Sequence, residues 1–189
     1  IRTPRFDSKG NNTSALLGFA NSLIEIIKKE KPDYLAVVFD PAGGSFRHRE
    51  YADYKAQRDA TPEGILWAFP QVKRLLEALR IPAIEVPDYE ADDVVGTLSQ
   101  RAEKEGFEVY MVTADKDYGQ LVTKHSLMYR PGTKGPEVWG EAEVCEKFGL
   151  VHCSQMVDYL ALVGDTSDNI PGCKGIGPKK ASELLTQFG

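Results

Sequence analysis

Hydrophobic and polar residues follow two periods along this chain. Positions 12–29 and 63–79 carry apolar residues at the spacing of amphipathic helices. Positions 34–40 and 107–113 are nearly continuous apolar runs, and carboxylates stand at or just after their ends. Such runs are typical of parallel strands that are covered on both faces. The first two thirds of the chain therefore combine helices with buried strands.

The same pattern predicts further elements between and after these segments. They are a short strand at 83–86, a helix at 90–105, strands at 126–130 and 137–139, and a helix at 141–148. Alternating strands and helices predict an α/β fold with a doubly wound, mostly parallel sheet, whose ligands bind outside the carboxyl ends of the strands.

The character of the sequence changes after Gly149. Positions 154–163 and 178–188 have helical patterns, the second with Pro178 at its first position, and a Gly-, Asp- and Pro-rich segment separates them. We therefore expect a catalytic domain at 1–150 and a small helical module that begins at 151–189.

Composition adds limits on the class of protein. The 189 residues are 42% hydrophobic, which is enough for a core. No apolar run approaches the roughly 18 residues that a membrane span needs, and positions 1–12 have no targeting pattern. Cys145, Cys153 and Cys173 lack the spacing of a redox or zinc motif. We expect a cytoplasmic protein with free thiols and no membrane association.

Eight acidic residues fall into four tight groups. Setting these eight aside leaves 20 acidic against 23 basic residues, although the net charge is −5. Two divalent ions would bring that net charge to −1, so the acidic balance does not exclude a nucleic-acid partner. The four groups are Asp40; Glu90, Asp92 and Asp93; Asp115 and Asp117; Asp165 and Asp168.

The predicted elements bring these acids toward one rim of the sheet. Asp40 ends one strand, Asp115 and Asp117 follow another, and Glu90 and Asp93 share a face at a helix start. Carboxylates this close stay ionised only if cations lie among them. Oxygen ligands favour Mg²⁺ or Mn²⁺, and two such ions can activate water and stabilise the leaving oxygen of a phosphodiester.

Each acidic group taken alone also has a purely structural interpretation. The acids at 90–93 could cap a helix, Asp115 and Asp117 could form a turn, and Asp165 and Asp168 could lie in a solvated loop. The four groups taken together favour a metal centre, because two of them stand at strand ends where this fold binds ligands.

Two basic segments suit a nucleic acid. If 45–58 is one helix, then Arg47, Tyr51, Lys55 and Arg58 share a face that could contact phosphates and stack on a base. The alternative is a solvated helix with Tyr51 and Tyr54 packed on the core.

The second basic segment, PGCKGIGPKKA, places Gly175 and Gly177 in a tight turn before a helix. The helix N-terminus can bind a phosphate, and nearby lysines at 174, 179 and 180 add charge. The segment is neither a Walker A loop nor a dinucleotide fingerprint. It predicts backbone contacts without base reading.

Four stretches in this order resemble the 5′ nuclease domains of the bacterial DNA polymerase I family, within the flap endonuclease superfamily. They are FDPAGGSFRHREYADYKAQR, YEADDVVGTL, TADKDYGQLV and VGDTSDNIPGCKGIGPKKA. The resemblance covers nearly the whole chain. It implies a PIN-like α/β domain followed by a helix-hairpin-helix-type (helix-3-turn-helix) module.

The resemblance also implies roles for individual residues. Asp40, Lys55, Arg58, Asp115 and Asp117 are expected to take part in catalysis. All eight grouped acids match metal ligands. Lys55 and Arg58 match residues that contact the scissile phosphate, and the family's hairpin matches 172–180, where a K⁺ ion is expected near Ile170, Cys173 and Ile176. Together with the residue pattern, this gives an expected DNA-binding set of Arg47, Tyr51, Lys55, Arg58, Lys116, Lys174, Gly175, Gly177, Lys179 and Lys180.

The function so implied is metal-dependent 5′→3′ exonuclease and 5′-flap endonuclease activity in replication and repair. The expected substrates are 5′ flaps, nicked or gapped duplex DNA and RNA primers on DNA. We expect a monomer, associated with the bacterial nucleoid, with a polymerase domain in the same full-length chain. The alternative function, from a different class of protein, is that of a structure-specific DNA-binding module that does not cut. An aspartyl phosphatase would need a second Asp where Ala42 stands.

One difference from the family concerns the start of the chain. Family members begin with a strand that carries a further metal-binding Asp, and the sequence has no such strand before Asn11. We expect a fragment of this extent to be unstable and weakly active or inactive, because an absent central strand would leave backbone groups unpaired.

Overall fold

The computed structural model describes residues 4–132 and 135–189. Its α-helices are α1 (Ser14–Lys29), α2 (Phe46–Glu50), α3 (Glu63–Ala78), α4 (Ala91–Lys104), α5 (Glu141–Phe148), α6 (Met156–Val163) and α7 (Pro178–Phe188). Its strands are β1 (Val37–Phe39), β2 (Ala83–Glu85), β3 (Val109–Val112), β4 (Ser126–Arg130), β5 (Glu137–Trp139), β6 (Gly164–Asp165) and β7 (Ile170–Pro171). Two 3₁₀ helices lie at Lys116–Leu121 and Cys153–Gln155.

Most of the elements predicted from the hydrophobic pattern are confirmed. The helices α5 and α7 have the predicted bounds, and α1, α3 and α4 are shorter than predicted by one or two residues. The first predicted strand shrinks to the three residues of β1, because only these pair with β2. The helix predicted at 154–163 begins instead with a 3₁₀ turn that leads into α6.

The described chain divides into two compact units. The first consists of residues 4–41 and Asp59–Val86, and the second of Ala42–Arg58 and Pro87–Gly189. In the first unit α1 packs on α3, and β1 pairs in parallel with β2. Its core is formed by Leu23, Val72 and Leu76. Burial of these side chains stabilises the unit by roughly 2 kcal/mol each.

The second unit has a three-stranded sheet in the order β3, β4, β5. The pair β3–β4 is parallel and β4–β5 is antiparallel. The prediction of one mostly parallel sheet is therefore wrong for the described residues, whose strands form three small sheets with as many antiparallel as parallel pairs. Met128, Val144 and Met156 are fully buried beside this sheet. Ala181 and Leu185 of α7 belong to the same core. The C-terminal helices and the sheet therefore share one hydrophobic core.

The short pair β6–β7 closes a loop that carries two of the grouped acids. Gly164 has φ +74, and a Cβ on it would lie 2.3 Å from the backbone nitrogen of Gly172. A Cβ on Gly172 would lie 2.3 Å from the carbonyl group of Val163. The backbone segments approach so closely here that only glycine fits at both positions. This contact fixes the base of the loop that presents Asp165 and Asp168.

The helices of the described residues do not reach the length and apolarity that crossing a bilayer requires.

Candidate functional site

A cleft of about 590 Å³ in the second unit is lined by six of the eight grouped acids. They are Glu90, Asp92, Asp93, Asp117, Asp165 and Asp168. Arg47, Tyr54 and Tyr118 line the same cleft. The prediction that the acids of different segments come together is confirmed for these six.

Glu90 stands immediately before α4 and is buried. Its Oε1 accepts a hydrogen bond from Ser45 Oγ at 2.8 Å. Its Oε2 accepts from Tyr54 Oη at 2.9 Å and from Lys55 Nζ at 2.8 Å. Burial alone would raise the pKa of Glu90, but these donors outweigh burial and lower it. The buried carboxylate therefore stays ionised.

Asp168 is held by the segment that follows α2. Tyr54 Oη lies 3.1 Å from Asp168 Oδ2, so that its one proton is shared between Glu90 and Asp168, and Arg58 Nη2 lies 2.5 Å from Oδ1. The backbone N–H of Lys55 also donates to the carbonyl oxygen of Asp168 at 3.0 Å. Lys55 has φ +56, a left-handed conformation that costs a non-glycine residue roughly 1 kcal/mol and that these contacts hold in place.

Asp93 forms the most regular ion pair of the cleft. Arg47 Nη1 and Nη2 donate to its two oxygens, both at 2.7 Å, in the bidentate geometry that suits guanidinium and carboxylate. The Asp93 Oδ2 also accepts the backbone N–H of Glu90 at 3.0 Å, which caps α4. The hydrogen bonds from Arg47 lower the pKa of Asp93. The capping role considered for the acids at 90–93 is thus present in Asp93, beside its place in the cleft.

Lys116 lies between two carboxylates from different segments. Its Nζ is 2.8 Å from Asp117 Oδ1 and 2.5 Å from Asp165 Oδ2. Partial burial would lower the pKa of Lys116, but the hydrogen bonds to both aspartates outweigh it and raise that pKa. Burial raises the pKa of Asp117, and the charges of Asp115 and Asp165 add to this effect. The pKa of Asp165 is lowered despite its burial, because Lys116 and Ser167 donate to it.

The remaining acids have local roles. Tyr118 Oη donates to Asp92 Oδ1 at 2.7 Å. Asp115 caps the 3₁₀ helix, since its Oδ1 accepts the backbone N–H of Asp117 at 3.0 Å. Asp40 follows β1 and belongs to the first unit. The part that Asp40 and Asp115 take in a metal centre stays a prediction.

Whether these side chains suit a divalent ion can be judged from what lies between them. In the described parts of the chain, no group of three or more His, Cys, Asp or Glu residues is placed to hold a metal ion. Two ammonium groups instead lie between pairs of carboxylates, Lys116 as above and Lys55 between Glu90 and Asp168, at 2.8 and 3.7 Å. Each pair already converges on one cation through oxygen atoms alone, which is the ligand type of Mg²⁺ or Mn²⁺.

The predicted continuous helix at 45–58 is wrong. The helix α2 ends at Glu50, and turns follow it. The side chains of Arg47, Lys55 and Arg58 consequently do not share a helix face, and each pairs with a carboxylate of the cleft. Tyr54 is buried, as the alternative interpretation had it, whereas Tyr51 is exposed and donates to the carbonyl oxygen of Asn169.

The glycine-rich hairpin has the predicted form. Gly175 has φ +79, Gly177 caps α7, and Pro178 is the first residue of the helix. Lys174, Lys179 and Lys180 are exposed around this helix N-terminus. The carbonyl oxygen of Cys173 accepts the N–H of Ile176 at 3.0 Å. The K⁺ site expected near Ile170, Cys173 and Ile176 stays a prediction.

Sequence reasoning did not assign three residues that organise the cleft. Ser45 and Tyr54 both donate to Glu90, and Tyr118 donates to Asp92. Ser45 and Tyr54 lie within the basic segment, where a helical interpretation directed attention to the charged side chains. Their hydroxyl groups could have been considered as hydrogen-bond donors to the grouped acids.

Comparison with protein families identifies the group to which this chain belongs. A family model described as 5′-3′ exonuclease, N-terminal resolvase-like domain, matches residues 2–149. A second, described as 5′-3′ exonuclease, C-terminal SAM fold, matches residues 151–189. The chain belongs to the 5′-3′ exonuclease family. This confirms the family to which the sequence motifs pointed.

Curated relatives of this family member are similar along almost its whole length. A 5′-3′ exonuclease of Aquifex aeolicus is 43% identical over 186 residues, which cover 98% of this chain and 63% of the relative. The DNA polymerase I of Bacillus caldotenax is 44% identical over 185 residues, which cover 97% of this chain and 21% of the relative. The chain thus spans less than two thirds of the first relative and about a fifth of the second.

Solved structures show the same fold. The T5 D15 protein co-crystallised with metal ions superposes with a TM-score of 0.76 at 22% identity, covering 92% of this chain and 68% of that one. The catalytic core of Rad2 in complex with a DNA substrate gives 0.63 at 21% identity, covering 100% of this chain and 57% of that one. The predicted PIN-like fold with a helical C-terminal module is confirmed.

Proposed function

We propose that this protein is a metal-dependent 5′→3′ exonuclease and 5′-flap endonuclease that hydrolyses phosphodiester bonds in DNA. The observation that carries the proposal is the cleft lined by six carboxylates, in a chain of the 5′-3′ exonuclease family. Six carboxylates repel a DNA phosphate, and divalent cations bound among them would offset this charge.

The proposed ligands of two or more Mg²⁺ or Mn²⁺ ions are the eight grouped acids, Asp40, Glu90, Asp92, Asp93, Asp115, Asp117, Asp165 and Asp168. When bound, such ions lower the pKa of water and stabilise the leaving oxygen of a phosphodiester. Among the described residues, Asp117 and Asp165 suit this role because their oxygens already converge on a single cation.

The cations of the cleft have a second role in this proposal. Lys55 and Arg58 contact Asp168, and Arg47 contacts Asp93. If the carboxylates bind divalent ions, these side chains lose part of their attraction to the acids and can turn to the scissile phosphate. Lys55 and Arg58 are the proposed catalytic cations. Arg47 and Tyr51 are proposed to contact the DNA strand.

The hairpin at 172–180 is proposed to bind duplex backbone. Lys174, Lys179, Lys180 and the N–H groups of α7 offer positive charge without side chains that read bases. A K⁺ ion held by carbonyl oxygens near Ile170, Cys173 and Ile176 would add to this charge. We propose that 151–189 begins this DNA-binding module and that 1–150 is the catalytic domain.

The proposed substrates are 5′ flaps, nicked or gapped duplex DNA and RNA primers on DNA. The names of the relatives, 5′-3′ exonuclease and DNA polymerase I, support a role in replication and repair in the bacterial cytoplasm. We propose that the protein is a monomer that works at the nucleoid. We also propose that it is part of a longer chain that carries a polymerase domain.

A structure-specific DNA-binding module that does not cut is the second candidate. It is favoured by the ion pairs of the cleft, in which Arg47, Lys55, Arg58 and Lys116 already offset part of the negative charge. Under this hypothesis the acids would only order the segment 42–58 and the loop at 165–169.

The two candidates are separated by a cleavage assay. The protein is incubated with end-labelled single-stranded, duplex, nicked and 5′-flap DNA, in Mg²⁺, in Mn²⁺ or in chelator, and the products are mapped. We expect cleavage near the flap junction that requires a divalent ion. DNA binding without cleavage under all metal conditions would support the binding module.

The matched control is a pair of Asp→Asn variants. Asp117→Asn removes a carboxylate of the cleft, and Asp158→Asn removes an exposed carboxylate on α6. Cleavage that Asp117→Asn abolishes and Asp158→Asn leaves unchanged would assign the activity to the cleft. Equal cleavage by both variants would point to a contaminating nuclease.

A further inference from the structure

Lys116 occupies the position toward which two of the proposed metal ligands point. The 3₁₀ helix at Lys116–Leu121 begins directly after Asp115, and the N–H of Asp117 is bound to the Asp115 carboxylate. This turn directs Asp117 Oδ1 toward the Lys116 ammonium group, 2.8 Å away. The backbone of Asp117 is thus held by Asp115, and its carboxylate contacts Lys116.

Asp165 is held in place from its other side. Its Oδ1 accepts the backbone N–H and the hydroxyl group of Ser167, both at 2.6 Å. Its Oδ2 therefore remains for Lys116, at 2.5 Å. Two carboxylate oxygens from separate segments share a single positive charge, and one of the two carboxylates, that of Asp165, is also held by Ser167.

A divalent ion and this ammonium group cannot occupy the same place. Mg²⁺ binds oxygen at about 2.0–2.1 Å, and a cation at that distance from both carboxylates would meet the Lys116 nitrogen in van der Waals overlap and in like-charge repulsion. Because the side chain of Lys116 is 47% exposed, it can turn toward solvent without leaving a buried charge behind.

We propose that Lys116 is a resident counter-ion, which bridges Asp117 and Asp165 in the metal-free protein and sets its divalent-metal affinity because the ion must displace it. This inference rests on the metal centre of the proposed function. It assigns Lys116 a positioning role in the cleft, in addition to the DNA contact expected for it.

The strongest consequence is a gain in metal affinity when the charge is removed. In Lys116→Gln the ion no longer has to displace an ammonium group from two carboxylates. We therefore expect Mg²⁺ and Mn²⁺ to bind roughly tenfold more tightly, a factor that corresponds to about one pKa unit of interaction between neighbouring charges. In Lys116→Arg the charge remains, and we expect an affinity within about threefold of the unchanged protein.

Isothermal titration of the whole chain with Mn²⁺ measures these affinities without any DNA cleavage. Lys124→Gln is the control, because Lys124 is an exposed lysine beyond the same 3₁₀ helix. We expect tighter binding for Lys116→Gln alone. Equal or weaker binding by Lys116→Gln, compared with Lys124→Gln, would overturn the inference.

A second measurement does not depend on how well the variant folds. In the unmodified sequence, the lysine side chains are followed by NMR at their ε-carbons during Mg²⁺ titration. We expect the Lys116 signal to move with saturation, as its ammonium group leaves the two aspartates, and the Lys124 signal to stay. A Lys116 signal that does not move while the protein binds Mg²⁺ would contradict displacement.

The outcomes also separate this inference from the proposed function. Binding of Mn²⁺ that Asp117→Asn weakens but Lys116→Gln leaves unchanged would refute the counter-ion role and keep the metal centre. A protein that binds neither Mg²⁺ nor Mn²⁺ would refute both.

Discussion

The cleft and the hairpin of the second unit both carry basic side chains, but they use them differently. In the cleft, Arg47, Lys55, Arg58 and Lys116 each contact carboxylates at 2.5–2.8 Å. At the hairpin, Lys174, Lys179 and Lys180 are exposed, and the ion pair between Lys179 and Glu183 is long, at 4.0 Å. The first set offsets charge inside the protein, and the second offers charge to a partner.

The comparison shows that counting basic residues does not locate a nucleic-acid surface. A cation already paired with a buried or half-buried carboxylate gives up that interaction when it turns to a phosphate. An exposed lysine loses only water and mobile ions, so its binding contribution depends strongly on salt. This difference supports the proposal that the hairpin contributes more to DNA binding than the paired cations of the cleft do.

The sharpest test of the comparison removes a carboxylate from the cleft. We expect Asp115→Asn or Asp117→Asn to lower the cleavage rate about a thousandfold or more, because several kcal/mol of transition-state stabilisation by the ions would be lost. DNA affinity, measured by fluorescence anisotropy, should stay within about threefold because the hairpin is intact. Near-normal cleavage by both variants would contradict the roles assigned to these acids.

A second test compares how much one basic residue of each region contributes to the stability of the protein. In chelator, Lys55→Met should lower the free energy of unfolding by about 1–3 kcal/mol, because Glu90 loses a donor while it stays buried. Lys174→Met should change it by less than about 0.5 kcal/mol. Urea denaturation measures both values. Equal losses would show that Lys55 is not a structural counter-charge.

A third test acts on the hairpin. The double substitution Lys174→Ala with Lys179→Ala should weaken DNA binding by a similar factor for all sequences and reduce the salt slope by roughly one to two units. Cleavage at saturating DNA should change little, because the cleft is untouched. Affinity measured from low to high salt on several sequences gives the result. Losses that depend on sequence would mean that the hairpin reads bases.

The smallest expected effect concerns the pH dependence of stability. Since Arg47 lowers the pKa of Asp93 below its usual 3.8, the ion pair contributes stability above about pH 4 and loses it as the pH falls through the lowered pKa. In chelator, the free energy of unfolding should therefore fall between pH 5 and pH 3. The fall should be shallower in Asp93→Asn. If the free energy of unfolding falls as steeply with pH in that variant, the ion pair of Asp93 with Arg47 does not contribute this stability.

Periodic elements were predictable from the sequence because their signals are local. The bounds of α5 and α7 follow from apolar spacing together with Gly149 and Pro178 at their ends. The acids at the start of α4 and Asp117 were predictable for a different reason, since carboxylates that open helices or follow strands project toward one rim in this fold. The same argument does not place Asp40 and Asp115, which do not line the cleft.

The segment after α2 was not predictable from periodicity. A helical face through Arg47, Lys55 and Arg58 satisfies the spacing, yet the chain turns at Tyr51 to bring Tyr54 and Lys55 onto Glu90. The stabilising contacts there join residues that are 35 and 36 positions apart. Tertiary hydrogen bonds to a buried carboxylate outweigh a local preference of a few tenths of a kcal/mol per residue.

The glycines that close the base of the loop with Asp165 and Asp168 limit how this protein can diverge. At Gly164 and Gly172 any side chain would meet backbone atoms at 2.3 Å, so substitution there is not a graded change but a loss of the strand pair. The role proposed for the two aspartates is chemical, whereas the two glycines are needed only for the path of the backbone. A descendant that abandoned catalysis could replace both aspartates by drift, and it would still be expected to keep both glycines.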